Sequence, residues 1–573
     1  MSRNWIWNAT FPLMLICGIA APGCGGPGAE EPGGPVRLVV GLGAEPDSFN
    51  IYLARSAASL LVADLVLPRL AREELPFEGH PGGLVPDLAA SWEIDDQGRR
   101  VTFHLEDGHG WDDGRPVTCE DLQFTLAAQT SEAVAWRGAS IKRHIQRLVC
   151  PDPLTAVYHF DRGYPGQVMD INDLHVLSSS LESIPFDQWR KTDWAQALVA
   201  GGPFRIERVS AGQEIVLTRR TPAAAGAIEE IILRVVPDAS SRTTQLLAGD
   251  LDLIEAVAPD QLPRLERDPD VRIVRRPGHR YTYLGWNVLD PQAYATWRRS
   301  KEDGCRRKGD DACLDSAEEM ARLARLHPHP LFGDPRVRRA LTLAIDRRTL
   351  IDTLLDGEGS IPPSPMPPPL EEHDPAIEPW PFDPAEARRL LAAAGFADTD
   401  GDGVVEREGR PLAFRLTVQA GRAGRRRAAE MVARQLATVG ARVELDPVEN
   451  AAFYPALGAH RIDAWIGGWR TSLRVDMSEM LHASACASGG ANFGCWSHPE
   501  ADALAERARD EIDDGKRVAL WRRWESLFHR ELPYTLLYAP VEATAVRSLW
   551  QGPEQSILPG APLAGVERWR REP

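Results

Sequence analysis

Open mixed β-sheets flanked by helices, an α/β architecture of two or more packed lobes, are predicted by three observations. Strand-like and helix-like patterns alternate along the body, capped helices feed directly into strands, and a chain of 573 residues has room for more than one sizeable core. Val101-Thr-Phe103-His-Leu105 and Phe414-Arg-Leu416-Thr-Val418 have the two-residue period of half-buried strands, and Ile231–Val236 reads as a more buried one. Asp383 is placed to cap a helix, with Pro384 at its first position, Glu386 closing a capping box, Ala387, Leu390, Leu391 and Ala394 on one face, and Gly395 as the stop. Asp334-Pro335 opens a similar helix through Val337, Leu341, Ala344 and Ile345. A third, from about Arg425 to Gly440, leads into a strand around Val443 and Leu445. The sequence has no internal repeat.

The N-terminus reads as an export signal. Arg3 precedes an apolar stretch from Trp5 to Ala21, broken by Asn8-Ala9-Thr10 and by Pro12, too short and too interrupted to span a membrane. It ends in Ala21-Pro22-Gly23-Cys24, so residues 1–23 are read as a lipoprotein signal peptide and Cys24 as the lipidated first residue of the mature chain. The alternative is an ordinary secretory signal cut near Ala20 or Ala21; both export the chain. Residues 24–35, rich in Gly, Pro and Glu, cannot bury apolar surface and form a flexible tether. The folded part starts near Val36, and no second long apolar run follows.

Six cysteines remain after Cys24, an even number suited to an oxidising compartment. Proximity favours Cys305 with Cys313 and Cys486 with Cys495, leaving Cys119 with Cys150; one or more pairs kept as buried thiols is the alternative. With no CxxC, and no histidine at ligand spacing beside a cysteine, neither a metal nor another cofactor is expected. The formal charge of -17 argues against a nucleic-acid partner. The one basic run, Arg422 to Arg427, is read as a solvated helix face.

Gly83-Leu-Val-Pro86-Asp87-Leu88-Ala-Ala-Ser91-Trp92, Val101-Thr-Phe103-His-Leu105-Glu-Asp107-Gly108 and Trp111-Asp-Asp113-Gly114-Arg-Pro116-Val117-Thr118-Cys-Glu-Asp121 follow one another closely. Later come Gly201-Gly202-Pro203-Phe204, Leu246-Leu247-Ala-Gly249-Asp-Leu-Asp252, Tyr283-Leu-Gly-Trp-Asn287, Asp334-Pro-Arg-Val337-Arg338 with Ala344-Ile345-Asp346, and Leu532-Pro533. Together, in this order, they resemble extracellular solute-binding proteins of family 5, the group that includes oligopeptide, dipeptide and nickel receptors. The Asp-Gly pairs also read as turns, and Trp92 and Trp111 as core.

The resemblance implies a two-lobed periplasmic-binding-protein-like fold (type II, cluster C-like) with mixed sheets. Lobe I would comprise 36–74, 201–278 and 539–573, with 75–200 as its inserted extra subdomain; lobe II would be 279–538, carrying an insertion at 291–330. It also implies a non-enzymatic, monomeric substrate-binding lipoprotein of an ABC importer, which passes a peptide-like or other small polar ligand from the interlobe cleft to a membrane permease.

In peptide-binding relatives a Gly-Trp-x-x-Asp run meets the peptide and its amino terminus. The matching run here is Gly468-Trp469-Arg470-Thr471-Ser472, with Ser472 in the aspartate's place and a cation, Arg470, beside it. A hydroxyl cannot replace a charge-assisted pair with an ammonium group. The cleft is therefore expected to disfavour free amino termini and to prefer anionic or amino-blocked ligands, unless Asp476 compensates. Arg55, Trp136, Asn287 and Tyr538 are the remaining candidate contacts, and Arg55 with Arg470 suits a carboxylate or phosphate.

Asp398-Thr-Asp400-Gly-Asp402-Gly403 copies the first half of a calcium loop, but its twelfth position is Gly409, so a tight polar turn is expected. The motifs Gly-x-Ser-x-Gly, His-Glu-x-x-His, Walker loop and strand-borne GxGxxG are missing, and His109, His327 and His329 lack a nucleophile's setting. The alternatives are a ligand sensor on the same fold and an exported hydrolase.

Overall fold

The computed structural model describes residues 34–95, 98–308, 315–366, 368, 370–471, 473, 475–487 and 490–572. A twelve-stranded mixed sheet runs through the molecule. At one end, Arg37–Leu42 pairs in parallel with Glu230–Val235 and Leu253–Ile254, and the hairpin Phe204–Ser210 and Glu214–Arg219 extends the edge. At the other end, Ala413–Gln419 lies parallel to both Arg442–Val448 and Ala464–Arg470.

One strand, Tyr534–Arg547, joins the two ends. Its first half pairs antiparallel with Arg280–Trp286 and its second half with Val271–Pro277. The chain thus passes between the lobes twice, at Gly278-His279 and at Ala539-Pro540. The two passages touch: a Cβ on Gly278 would lie 1.9 Å from the Pro540 carbonyl oxygen, so only glycine fits there. Pro540 has no N–H to give a neighbour, which suits a place where the ladder changes partners.

Period-two alternation places two cores on opposite faces of the second lobe's strands. Leu284, Trp286, Leu416, Val418, Ala464 and Ile466 face the helices Pro335–Leu343, Pro384–Ala393 and Ala423–Ala437. Tyr281, Tyr283, Trp465, Tyr534 and Leu536 face Pro499–Asp510 and Asp514–Glu531. A bulge at Thr282/Tyr283 breaks this alternation and turns Tyr538 to the first face. In the first lobe, Leu38, Val40, Ile231 and Leu233 pack against Trp550 and Trp569.

Residues 89–160 contain a separate antiparallel sheet of four strands, Ala89–Ile94, Arg100–Leu105, Thr155–Phe160 and Ile145–Asp152. The disulfide Cys119–Cys150 ties the helix Cys119–Thr130 to it. Gly108 and Gly114 take φ of +93° and +87°, as their Asp-Gly turns require. Of the other expected pairs, Cys486–Cys495 is formed; Cys305 is disulfide-bonded, and Cys313 lies outside the described residues. Cys24 also lies outside them.

Two local readings change. Asp383 caps its helix by accepting from the N–H groups of Ala385 and Glu386, but Glu386 turns its carboxylate to Arg389 (2.6 Å) instead of closing the box, because an arginine three residues on offers two donors. Arg425 leaves the solvated face assigned to its basic run, as described below.

Helix Ala57–Val66 is fastened to the four-stranded subdomain by Asp64, whose carboxylate lies 2.8 Å from His175 Nε2. His175 is fully buried, and burial together with Arg69 pulls its imidazole down from 6.5 to about 4. Between these values the unfolded chain takes up a proton that the folded chain refuses, so stability rises with pH across that window and is lost as pH falls from 6.5 to 4. Urea unfolding is expected to show a loss on the order of 3 kcal/mol assignable to this residue. His175→Gln should flatten that part of the profile relative to the wild type.

Candidate ligand-binding site

Strands Ala464–Arg470 and Arg280–Trp286 lie antiparallel, with Gly468 opposite Thr282, Trp469 opposite Tyr281 and Arg470 opposite Arg280. Two glycines let other groups close in. A Cβ on Gly467 would lie 2.5 Å from the Tyr283 ring, and one on Gly468 2.7 Å from an Arg425 nitrogen. Arg425, in the first turn of helix Ala423–Ala437, is consequently half-buried. It donates to Gln419 Oε1, and among the described residues no carboxylate pairs with it. Burial and neighbouring Arg422 lower its pKa, while Tyr454, Tyr283 and Tyr538 favour its charge.

Gly468, Arg470, Thr282, Tyr538 and Arg425 therefore gather near the carboxyl ends of the parallel strands 413–419, 442–448 and 464–470, where open α/β sheets place their ligands. Tyr538 is nearly buried and its hydroxyl titrates high, from burial first, with Thr282 and Arg425 opposing. Arg470 is exposed; one of its nitrogens is 3.0 Å from His279 Nε2. His279 in turn contacts the Glu542 carboxylate, which also accepts from Gly560 N–H at 2.8 Å. Burial would raise Glu542, but the hydrogen bond and charge of His279 outweigh it and hold the carboxyl below its usual range.

Trp469 points to the opposite face, stacked on Phe493 with ring centroids 6.5 Å apart. The Tyr281 hydroxyl and Ser478 Oγ are buried and make no hydrogen bond among the described residues. The loop beyond the strand is anchored by Thr471 N–H to the His279 carbonyl (2.8 Å) and reaches the other lobe through Leu473 N–H, which donates to Glu73 Oε1 at 2.9 Å. Asp476 accepts from Ser478 N–H at 2.9 Å, and Ser472 lies outside the described residues. A second bridge across the lobes joins Arg162 to Asp510 at 2.8 Å.

The other expected contacts stand apart. Arg55 is an exposed residue of the first lobe whose backbone N–H is held by Asp47. Trp136 is half-buried in the subdomain, edge-on to Tyr52 at 5.7 Å, with Lys142 above its ring. Asn287 follows the far end of strand 280–286, roughly 20 Å from Arg280. It is 1% exposed, its amide donating to the His460 and Ile462 carbonyls and accepting from Leu289 N–H. These bonds commit it to bracing the strand.

Sequence reasoning passed over Arg425, Tyr281 and Glu73. The alternation in Arg280-Tyr-Thr-Tyr-Leu-Gly-Trp286 was a signal for Tyr281, whereas the basic run masked Arg425. In the calcium-like loop, Asp398 accepts from Gly401 and Gly403 N–H, and Asp400 and Asp402 accept from the backbone two residues on, as a polar turn requires.

The body is a two-lobed α/β fold, linked by paired strands and carrying a polar and aromatic cluster at the crossover. The chain belongs to the bacterial extracellular solute-binding proteins, family 5, whose middle-region model matches residues 83–491. It is 25% identical over 561 residues to the oligopeptide-binding protein AppA of Bacillus subtilis, covering 95% of this chain and 92% of that one. To the peptide transport periplasmic protein SapA of Salmonella typhimurium it is 24% identical, with 91% of each covered. The crystal structure of NikA from Brucella suis in complex with Fe(III)-EDTA superposes with a TM-score of 0.75 at 19% identity, over 94% of this chain and 100% of that one. The protein is thus a substrate-binding protein of the kind that serves ABC importers. Among the described residues no helix is long and apolar enough to cross a membrane.

The crossover makes two glycines unequal. Gly278→Ala drives a Cβ into the backbone oxygen of Pro540, whereas Gly468→Ala meets mainly the mobile end of Arg425. The first substitution is expected to cost about 1–3 kcal/mol in chemical denaturation, and the second less than about 1.

Proposed function

We propose that the protein is the exported, lipid-anchored receptor of an ABC importer. It captures a peptide-like or other small polar ligand between its lobes as a monomer and passes it to the permease without chemistry. The observation that carries this reading is the pair of crossings at Gly278-His279 and Ala539-Pro540, with the lobes bridged beyond them by Glu73 to Leu473 and Arg162 to Asp510. Two adjacent strand passages bend together, so one hinge opens and closes the whole cleft. Relatives named for oligopeptide and dipeptide binding and for peptide transport support the ligand class.

A non-catalytic role is supported by the buried cluster of Ser364, His373 and Glu525. His373 Nδ1 lies 2.7 Å from the glutamate, and Ser364 also turns to that carboxylate, so the serine meets no histidine base. The arrangement pins Ser364, His373 and Asp374 to helix Asp514–Glu531. The membrane anchor is lipid on Cys24. In the native host the protein should enter the detergent phase, and Cys24→Ala should move it to the aqueous phase; partitioning that survives the substitution excludes the anchor.

Within the cleft, Arg470, Arg280 and the carboxylate-free Arg425 favour anionic or amino-blocked ligands. An ammonium enclosed beside a guanidinium meets both desolvation and like-charge repulsion. The test is a thermal-shift screen of matched peptides, free and N-acetylated, with organic acids and sugars alongside. Ligands at ~100 times their dissociation constant add about 2.7 kcal/mol to folding, a visible rise in Tm. Acetylated peptides or acids are expected to give the larger shift. A strong response confined to free peptides would identify Glu73 or Asp476 as an amine anchor and reject the anionic preference.

A further inference from the structure

Away from the cleft, His460, Cys486 and Cys495 form a cluster that ligand capture does not use. Their potential ligand atoms all lie within 4.8 Å of one another, and all three residues are at least 97% buried. The imidazole Nδ1 and Nε2 are 3.5 and 3.6 Å from Cys495 Sγ, and Nε2 is 3.8 Å from Cys486 Sγ. Spacing along the chain concealed the group, because the histidine stands 26 and 35 residues before the two cysteines.

The fold assembles this group from three directions. His460, at φ +49°, follows helix Asn450–Gly458, and Cys495 takes φ +52°. Asn492 clamps the cysteine loop through the His482 and Trp496 carbonyls and the Trp496 N–H. Tyr294, Met320, Leu323 and Ala324, from the two helices of the insertion, close the cluster from outside.

The surroundings of the imidazole point to a cation. Nδ1 lies 3.1 Å from the Phe493 carbonyl oxygen and Nε2 3.0 Å from that of Cys486. A neutral imidazole donates from only one nitrogen, so the lone pair on the other faces oxygen and sulfur and meets no donor among the described residues. A lone pair of this kind is satisfied by a metal ion, and imidazole with two thiolates is a donor set for a borderline-soft cation.

We propose that His460, Cys486 and Cys495 form a zinc-type metal site that is open when the Cys486–Cys495 bond is reduced and closed when it is oxidised. A dithiol reductant transfers two electrons and two protons to the disulfide and itself becomes a disulfide. The two thiols then release their protons as Zn(II) binds both sulfurs, and the neutral imidazole contributes its lone pair. Three protein donors leave a fourth tetrahedral position to water or a backbone carbonyl. Metal and disulfide are therefore alternative states of the same residues, and bound zinc shields the thiols from oxidation.

The experiment uses the full mature chain, either oxidised or reduced anaerobically with a phosphine, equilibrated with Zn(II), desalted and analysed for metal. The reduced protein is expected to retain one zinc per chain more than the oxidised protein. The added zinc should be lost in Cys486→Ser and Cys495→Ser and bound about tenfold or more weakly in His460→Gln. Co(II) in place of zinc should give a thiolate charge-transfer band in the reduced wild type alone. Zinc should also raise the Tm of the reduced chain and leave that of the oxidised chain unchanged, which keeps the test decisive if a serine variant folds poorly. Equal zinc in both redox states, undiminished zinc in Cys486→Ser, or a reduced chain that zinc fails to stabilise would each overturn the proposal.

Discussion

The strand Tyr534–Arg547 is shared between two lobes, and the other features of the cleft depend on that sharing. Its residues pair first with 280–286 and then with 271–277, so two bodies with separate cores are held by one continuous ladder. A ladder of this kind resists shear but bends where its partners change. Its partners change between Tyr538 and Val541, where Gly278, without a Cβ, meets Pro540, without an N–H. The closeness of the two passages also brings His279, Glu542 and Arg470 together, although they come from both crossing segments and a neighbouring strand.

Charge at this crossover is arranged unevenly. Arg470 leans on His279, which is matched by Glu542, so its cation belongs to a network spanning the hinge. Arg425 instead rests among tyrosines and a glutamine, a half-buried cation without a paired acid among the described residues. Burying charge without a partner is costly, and such a group persists where a ligand or the mouth of a cleft supplies the missing solvation. The Tyr281 hydroxyl and Ser478 Oγ, buried on the reverse face without a hydrogen bond among the described residues, give the same strand pair a second set of polar groups.

Helices Pro291–Lys308 and Ala317–Leu326 have a structural consequence that their composition did not disclose. They cover Cys486, Cys495 and His460, removing them from water and fixing the imidazole against the sulfurs. A charged pair of helices thereby shapes the surroundings of this cluster through packing.

Much of the fold was legible because it rests on local rules. Asp334 and Asp383 cap their helices, Gly395 and Gly440 stop theirs at positive φ, and the alternations at 101–105 and 414–418 are strands. The motif order marked the family, and loop proximity found the Cys486–Cys495 pair. The site was legible only in part. Gly468, Arg470 and Tyr538 do gather, yet Asn287 is spent on backbone carbonyls and Arg425 looked like one more solvated arginine. The sequence by itself determined which segments are strands and helices and where a glycine ends a helix or makes a turn, because these follow from backbone sterics and from the periodicity of nearby residues. Only the tertiary structure decided which cation lies under Gly468, which carboxylate reaches across the lobes and which histidine meets the cysteines. Those contacts join residues tens to hundreds of positions apart, and pairing of that range is set by how the sheets and cores pack.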